Sequence, residues 1–342
     1  MKKLIQRYSR QVLFNEIGAK GQEKLHGSRV VLIGCGALGS SHAEMLARAG
    51  VGSLKIVDRD FVEFSNLQRQ TLFSEADAEE RLPKAIAAQK RIAAINSEVN
   101  VEPMITDVNN SNVESIIESG DLVLDGTDNF QVRYLLNDAC VKHRKTWIYG
   151  AAVSSYGSTM TIVPGKTPCL RCIFSEMPDA GSAPTCDTAG VIMPIIASVS
   201  AAQVTEALKI LVGDLASLHG SMMQFDVWAN DRQRIRLGEP DPNCPTCGKR
   251  EFEFLDADNS QFSSVLCGRD AVQLASTRET TIDLTALAER LERSTEVQVN
   301  DYLLRFTAGE NEITVFRDGR AIVKGTDDVP HARSLYAKYV GM

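Results

Sequence analysis

Several features that would place a protein in a specialised class are missing from this sequence. No block of lysines and arginines stands out in a chain of net charge −7, which argues against an extended nucleic-acid groove. Residues Met1 to Gln11 are polar and charged, so we expect no secretion signal there. The longest apolar stretch, Gly190 to Val204, is too short for a membrane span and contains Pro194. These absences indicate a cytoplasmic protein with neither nucleic acid nor membrane among its partners.

The composition is otherwise ordinary, with one unusual element. The 342 residues are 44% hydrophobic and 24% charged, which suits one large domain or a large domain with a smaller one. The unusual element is eight cysteines. In a reducing cytosol, that number indicates metal or thiol chemistry rather than disulfides.

Between Arg29 and about Gly150, short apolar runs alternate with segments of helical spacing. Such alternation predicts an α/β fold with a Rossmann-like, parallel, doubly wound sheet. The predicted strands are Arg29–Gly34, Ser53–Asp58, Val99–Ile105, Asp121–Leu124 and Thr146–Tyr149.

Beyond Ser158 the pattern changes to antiparallel-looking strands. Ser175–Pro184 is rich in proline, glycine and serine and is predicted to be mobile. Ala189–Val212 predicts a long buried helix, kinked at Pro194. After residue 250 the composition shifts again, and we predict a large domain over 1–250 and a small α+β domain over 251–342.

A glycine-rich loop follows the first predicted strand. Gly34, Gly36 and Gly39 form a G-x-G-x-x-G pattern between a strand and a helix, where glycines let the backbone close on phosphates. Asp58 ends the second strand, where a carboxylate can bind ribose hydroxyls. Alone, this pattern predicts an adenine nucleotide, with NAD as the default.

The residues after Asp58 do not resemble a dehydrogenase. A polar loop carries Asn66, Arg69 and Gln70, and Lys84 follows. Arginine and lysine near a phosphate loop suit a triphosphate, whose charge they offset so that a second anion can approach. The alternative is that Arg69 and Lys84 are solvated surface charges.

A third polar turn, Gly126–Asn129, directly follows the strand that ends near Asp125. Ligands of open parallel sheets bind outside the carboxyl ends of the strands, which would place Asp125 and Asp128 at the ligand edge. A carboxylate there can hold Mg²⁺ against phosphate oxygens. The alternative is a bare turn in which Asp128 or Asn129 caps a helix.

Two C-x-x-C pairs are the strongest metal signal. Cys169, Cys172, Cys244 and Cys247 can form a closed tetrahedral thiolate site, which indicates structural zinc. The rival interpretation is a redox C-x-x-C, which two matched pairs disfavour.

Cys186 stands alone, just before the predicted long helix. A cysteine near a helix N-terminus can act as a nucleophile or acyl acceptor. The alternative is a small buried residue with no chemical role.

Taken together, these residues resemble the ThiF/MoeB/HesA family, bacterial relatives of ubiquitin-activating enzymes. The resemblance runs from about Arg7 to Gly248 and rests on the three polar segments above, both cysteine pairs, Tyr8-Ser-Arg10-Gln11, and Thr185-Cys186 before Ala189-Gly190. It implies that Asp58 binds the ribose, that Asn66, Arg69 and Lys84 bind the phosphates, and that Asp128 binds magnesium. The glycine loop, Gln70 and Asn129 complete the implied ATP site. Arg10 is expected to reach into the neighbouring subunit of a homodimer.

The implied function is adenylation of a small ubiquitin-like sulfur carrier that ends in Gly-Gly, with ATP, Mg²⁺ and Zn²⁺ as cofactors. Pyrophosphate leaves, and sulfur transfer follows from a donor such as a cysteine desulfurase or a rhodanese. Thiamine-thiazole and molybdopterin synthesis are the pathways that the resemblance implies. The catalytic set is Arg10, Arg69, Lys84, Asp128 and Cys186.

Two departures limit the resemblance. Ile95-Asn96 is followed by Ser97, where relatives commonly have proline, and the shortest relatives lack the segment beyond residue 250. We assign that segment an accessory role in dimer or carrier docking. Three other functions stay open: adenylation of a different peptide C-terminus, a catalytically silent nucleotide-binding scaffold, and an NAD-dependent oxidoreductase.

Overall fold

The computed structural model describes residues 6–178, 185–257, 265–266, 271–274, 281–292 and 295–341. They form two compact units, the first reaching Ala257 and the second containing the described residues from 265 onward. In the first unit the strands are β1 Arg29–Ile33, β2 Ser53–Val57, β3 Asn100–Met104, β4 Leu122–Asp125, β5 Trp147–Val153, β6 Tyr156–Ile162, β7 Ser221–Asp226 and β8 Asp231–Arg236. Its helices are α1 Ser9–Val12, α2 Gly18–Gly27, α3 Ala37–Ala49, α4 Glu75–Glu79, α5 Lys84–Ile95, α6 Val113–Glu118, α7 Phe130–Lys142, α8 Leu170–Ile173, α9 Cys186–Ala189, α10 Met193–Val212 and α11 Glu253–Asp256.

The strands of the first unit form one sheet in the order β3-β2-β1-β4-β5-β6-β7-β8. The first five strands are parallel, with Val30 aligned to both Leu54 and Leu122, and the last three are antiparallel. The chain winds outward from β1 to β3 and then returns to place β4 on the other side of β1. A crevice therefore opens at the carboxyl ends of β1 and β4, where such sheets bind ligands. The predicted Rossmann-like sheet is confirmed.

The helices of this unit cover the sheet in two groups. α3, α5 and α10 lie together, with α3 contacting both of the others, and α6 packs against α7. Val31 and Ile33 of β1 share a buried apolar cluster with Ile116 of α6 and Leu135 of α7. Alternating residues of a strand face opposite sides of the sheet, so a strand covered on both sides is apolar throughout.

The long helix differs from the prediction in two ways. It begins at Met193, and Pro194 lies in its first turn, where a missing N–H costs nothing, so the predicted kink is wrong. By length and composition α10 is long enough to cross a membrane, because it continues to Val212. The sequence-based expectation rested only on the apolar stretch Gly190 to Val204, which is too short for a span. Half of its apolar window is buried inside the protein. Ile195, Val199 and Gln203 lie on that buried face, as in a core helix.

In its described residues, the second unit has a six-stranded sheet and two helices. Its strands, β9 Val265–Leu266, β10 Ala271–Leu274, β11 Val297–Val299, β12 Leu303–Ala308, β13 Asn311–Phe316 and β14 Ala321–Lys324, are arranged in the order β11-β12-β13-β14-β10-β9. All of its strand pairs are antiparallel. The helices α12 Leu284–Leu291 and α13 Val329–Tyr339 enclose a separate apolar core with the sheet. The predicted small α+β fold is confirmed.

The short helix α11 packs on the first unit. The rings of Phe254 and Tyr134 lie 5.0 Å apart, and the Phe254 N–H donates to Asp138 at 2.9 Å. The first unit therefore continues past the second cysteine pair.

Candidate active site

Two glycine turns touch each other at the switch point of the sheet. Gly34, after β1, has φ of +84°, and a Cβ on Gly39 would lie 1.9 Å from the Gly34 carbonyl oxygen. A Cβ on Gly126, after β4, would lie 2.8 Å from the same oxygen. Gly36 caps α3, and no side chain caps that helix. The backbone N–H groups at the start of α3 are thus available to an anion, with the positive end of the helix dipole behind them.

Asp58 ties the end of β2 to the glycine loop. Its Oδ2 accepts the Cys35 N–H at 2.6 Å and its Oδ1 accepts the Asp60 N–H at 2.7 Å. Burial raises the pKa of Asp58, while the Lys84 ammonium lowers it. Each carboxylate oxygen keeps further lone pairs, so the group can still accept ribose hydroxyls.

The cations of the site are paired rather than solvated. Lys84 is buried, and its Nζ lies 3.2 Å from Oδ2 of Asp60, which excludes the surface-charge interpretation for this lysine. Arg59 Nη1 lies 3.0 Å from Oδ1 of Asp107. Burial lowers the pKa of Arg59, but the carboxylates of Asp107, Asp60 and Asp128 outweigh that effect and raise it.

The polar loop after β2 is a compact turn. Asn66 is buried, and its Oδ1 accepts the Glu63 N–H at 3.0 Å. Arg69 is half-buried, and its Nη1 donates to the Ser65 carbonyl at 2.9 Å. Both side chains predicted to bind phosphate therefore also hold the turn that presents them.

Gln70 closes this loop against the glycine turn. The residue is 4% exposed, and its Oε1 has no hydrogen-bond partner in the described part of the chain. Its Nε2 lies 3.9 Å from the position of a Cβ on Gly36, where nothing else is close. A buried acceptor without a partner is costly, and a bound nucleotide would supply the missing donor. The residues present therefore fit an adenine nucleotide.

Asp125 and Asp128, at the Gly126–Asn129 turn, have opposite environments. Asp125 ends β4 at the predicted edge of the sheet, but it is fully buried and its Oδ2 lies 3.1 Å from Nε of Arg133, so its carboxylate is not available to Mg²⁺. Asp128 is exposed and forms no hydrogen bond or ion pair with the described residues. Asn129 caps α7, with its Oδ1 accepting the Gln131 N–H at 2.8 Å. Of the two aspartates, only Asp128 has a carboxylate available to a cation.

The four predicted zinc ligands lie together. Their sulfur atoms are all within 4.8 Å of one another. Cys169 lies 3.6 Å from Cys244 and 3.9 Å from Cys172, and Cys172 lies 3.3 Å from Cys247. Tetrahedral zinc, with Zn–S of about 2.3 Å, needs S···S distances of about 3.8 Å. The cluster therefore fits one zinc ion.

Both cysteine pairs are anchored on α7. Oδ1 of Asn137 accepts the Leu170 N–H at 2.9 Å, beside the first pair. Oδ1 of Asp138 accepts the Thr246 hydroxyl at 2.8 Å, inside the second pair. Burial raises the pKa of Asp138 to about 6. Thus the same helix follows the Gly126–Asn129 turn and carries the cysteine cluster.

Comparison with known proteins identifies the family. The model of the ThiF family matches residues 8–246. The chain belongs to the ThiF family. The sulfur carrier protein ThiS adenylyltransferase of Bacillus subtilis is 46% identical over 337 residues, covering 98% of this chain and 99% of that protein. The SAMP-activating enzyme E1 of Haloferax volcanii is 39% identical over 252 residues, covering 74% of this chain and 92% of that protein.

Solved structures show the same fold. E. coli MccB with ATP is 24% identical, with a TM-score of 0.59, over 71% of this chain and 74% of that one. At that identity the likeness shows the fold alone. The match to the B. subtilis protein covers nearly the whole length of this ThiF-family chain, so it includes the second unit.

Cys186 lies at the same edge of the sheet as the two glycine turns. It is the first residue of the four-residue helix α9, capped by Thr185, and not the start of the long helix. Its half-buried thiol lies 3.5 Å from the Ala152 carbonyl on β5, the strand beside β4. Residues 179–184 of the segment predicted to be mobile lie outside the described residues.

Arg10 is held on a firmly anchored helix. The Tyr8 hydroxyl accepts from Nδ2 of Asn96 at 2.7 Å, and Nε2 of Gln11 donates to the Ala49 carbonyl at 2.8 Å. Arg10 itself is exposed and forms no hydrogen bond within the described part of the chain. Its side chain is thus available to a partner.

Sequence reasoning missed the buried groups that join these elements. Nε2 of Gln203 on α10 donates to the Asp125 and Ile148 carbonyls at 3.0 and 3.3 Å. Its Oε1 lies 2.8 Å from Nε2 of His42, whose pKa burial lowers to about 4. A Cβ on Gly150 would lie 2.3 Å from the same amide, so a larger residue there would displace the Gln203 side chain. The one signal in the sequence for these buried hydrogen bonds was a glutamine within an otherwise apolar helix, because a buried polar side chain needs hydrogen-bond partners.

Proposed function

We propose that this chain uses ATP to adenylate the C-terminal carboxylate of a ubiquitin-like sulfur carrier that ends in Gly-Gly. The observation that carries the proposal is the 46% identity, over 98% of the chain, to a relative named as an adenylyltransferase of the sulfur carrier ThiS. The contact between the glycine loop and the Gly126–Asn129 turn supports it, because it brings exposed Asp128 close to the start of α3, whose N–H groups can bind an anion.

The nucleotide would lie across the glycine loop. Asp58 would accept the ribose hydroxyls, and the buried Oε1 of Gln70 would accept a hydrogen bond from the nucleoside. Asn66, Arg69 and Lys84 would bind the phosphates, with the N–H groups of Gly36 and Gly39 nearby. The Gly34 N–H already donates to the Val57 carbonyl at 2.8 Å, so Gly34 would contribute through its turn conformation. Asn129 would contribute by fixing the start of α7 rather than through its side-chain oxygen, which already caps that helix.

The chemical obstacle is the approach of one anion to another. A carboxylate oxygen of the carrier forms a bond to the α-phosphorus, the bond from that phosphorus to the bridging oxygen breaks, and pyrophosphate leaves. Arg69, Lys84 and Arg10 of the neighbouring subunit in a homodimer would offset the repulsion. Mg²⁺, held by Asp128, would supply further positive charge. No strong base is needed, because the carboxylate is already ionised.

The remaining assignments belong to the same proposal. Cys169, Cys172, Cys244 and Cys247 would hold a structural zinc ion. The enzyme would act in the cytoplasm, where these thiols stay reduced, and a cysteine desulfurase or a rhodanese would supply the sulfur. The second unit would assist dimer or carrier docking.

The test of this function is carrier-dependent exchange of labelled pyrophosphate into ATP. We expect exchange in the presence of a carrier with an intact Gly-Gly end, and none with a carrier shortened by those two residues. Absence of exchange with every such carrier would favour the silent scaffold. Exchange with an unrelated peptide C-terminus would favour the other adenylase function.

For Cys186 we predict a covalent acyl linkage to the carrier. The thiol lies at the site edge, and its attack on the acyl-adenylate would form a thioester and release AMP. With ATP and carrier, intact-mass analysis of the wild-type chain should show an adduct of the carrier mass that Cys186→Ser lacks. Cys140→Ala, a buried thiol elsewhere, serves as the control and should form the adduct. An adduct that persists in Cys186→Ser would refute this role.

A further inference from the structure

A buried ion pair lies beneath the Gly126–Asn129 turn. Arg133 is in the second turn of α7, and Asp125 is the last residue of β4. Their side chains are 5% and 0% exposed, and Arg133 Nε lies 3.1 Å from Asp125 Oδ2. Both side chains are buried and paired with each other, so we assign neither a direct contact with the nucleotide.

Both members of the pair form hydrogen bonds with Thr127, the residue before Asp128. Oδ1 of Asp125 accepts the Thr127 N–H at 2.9 Å and the Thr127 hydroxyl at 2.7 Å. Nη2 of Arg133 donates to the Thr127 carbonyl at 2.6 Å and to the Gly150 carbonyl at 2.9 Å. The peptide group that joins Thr127 to Asp128 is thereby attached both to α7 and to strand β5.

Aromatic rings restrict the guanidinium. The Cζ of Arg133 lies 5.3 Å from the ring centres of both Phe130 and Tyr149. Contacts of this kind stabilise a cation over a ring face. With Nε and Nη2 bonded as well, the side chain of Arg133 is held in one orientation, and so is the turn that it supports.

Stability alone does not account for this arrangement. Burying two charges costs several kcal/mol per ion before their attraction is counted, and apolar residues of similar volume often serve a core at least as well. The pair supplies what an apolar core cannot, namely directional bonds to Thr127. We propose that Arg133, acting with Asp125, is a positioning residue that fixes the carboxylate of Asp128 for the Mg²⁺ of MgATP. The inference rests on the proposed function, from which it takes the magnesium role of Asp128.

The test is ATP binding by Arg133→Lys, measured by calorimetry with Mg²⁺ and again with EDTA. Lysine keeps the charge but lacks the planar fork that reaches Asp125 and both carbonyls. Loss of a residue that orients a metal ligand typically weakens metal affinity by about 10- to 100-fold, so we expect MgATP binding to weaken by about tenfold. Binding in EDTA should change by less than about twofold, since Asp58 and the glycine loop are untouched.

Arg171→Lys is the matched control. Arg171 also pairs with a carboxylate, Glu253, and lies over a ring, Phe254, but at the cysteine cluster. It should bind ATP as the wild type does in both conditions. Thr127→Val removes only the hydroxyl bond to Asp125, and it serves as the test if Arg133→Lys does not fold. We expect this variant to bind ATP more weakly in the presence of Mg²⁺ and as tightly as the wild type in EDTA.

Two outcomes would overturn the inference: equal weakening with Mg²⁺ and with EDTA, or no weakening in either. Failure of the proposed function is a separate result. If the proposed function is wrong, the wild-type chain will show no carrier-dependent exchange. The binding constants for ATP with Mg²⁺ and with EDTA are measured without any carrier, so their ratio tests the positioning role separately.

Discussion

Replacing Asp128 with alanine is expected to lower carrier-dependent pyrophosphate exchange by about a hundredfold or more, the usual loss when a group that stabilises transition-state charge is removed. Asp128 is exposed beside the glycine loop and forms no hydrogen bond or ion pair with the residues that the structure describes, so its carboxylate is available to Mg²⁺. Without it, the cation that offsets the phosphate charge loses a protein ligand. Initial exchange rates at saturating ATP and carrier provide the measurement.

Two further variants sharpen the experiment. Asp128→Asn keeps the size of the side chain but removes its charge, so it should lose nearly as much activity as alanine. Glu118→Ala removes an exposed carboxylate at the end of α6, which precedes the start of β4 at the opposite edge of the sheet, and should leave exchange unchanged. Arg69→Ala should also lower exchange, through loss of positive charge at the phosphates. Exchange that survives both Asp128→Ala and Arg69→Ala would refute the active-site assignment.

Replacing Cys244 with serine is expected to release the metal and to destabilise the first unit severely. Structural zinc can contribute on the order of 10 kcal/mol to folding, which is comparable to the whole stability of a domain. The cluster joins residues 169–172 to residues 244–247, and Asn137 and Asp138 attach both segments to α7. Elemental analysis should find about one zinc per wild-type chain and much less in the variant, with a lower midpoint of thermal unfolding.

Cys140→Ala separates metal loss from the loss of a buried thiol. Cys140 is as buried as Cys244 but lies outside the cluster, so this variant should keep its zinc and lose little stability. Less than about one zinc per chain in undamaged wild-type protein would contradict a closed four-thiolate site. Zinc retained in full by Cys244→Ser would do the same.

Local patterns predicted the buried strands well where a short apolar run ended in glycine or aspartate. The strands Arg29–Ile33, Ser53–Val57 and Leu122–Asp125 each lie within one residue of the predicted bounds. The strand β8 was missed because its residues are all exposed and mostly charged, so it carries no hydrophobic alternation. The kink at Pro194 was wrong because a proline at the start of a helix gives the same sequence signal as one inside it.

The sequence by itself determined the phosphate-binding loop and the metal-binding cysteines, because each is defined by a short, fixed spacing of residues. Two motifs could be recognised from residues only a few positions apart in the chain: the G-x-G-x-x-G between a strand and a helix, and the C-x-x-C pairs. The tertiary structure decided which charged groups are available. It buries Asp125 against Arg133 and leaves Asp128 exposed, and it pairs Lys84 with Asp60 across 24 residues of chain. The physical reason is that the free energy of a charge depends on its burial and on its partner, and both are set by contacts between distant segments.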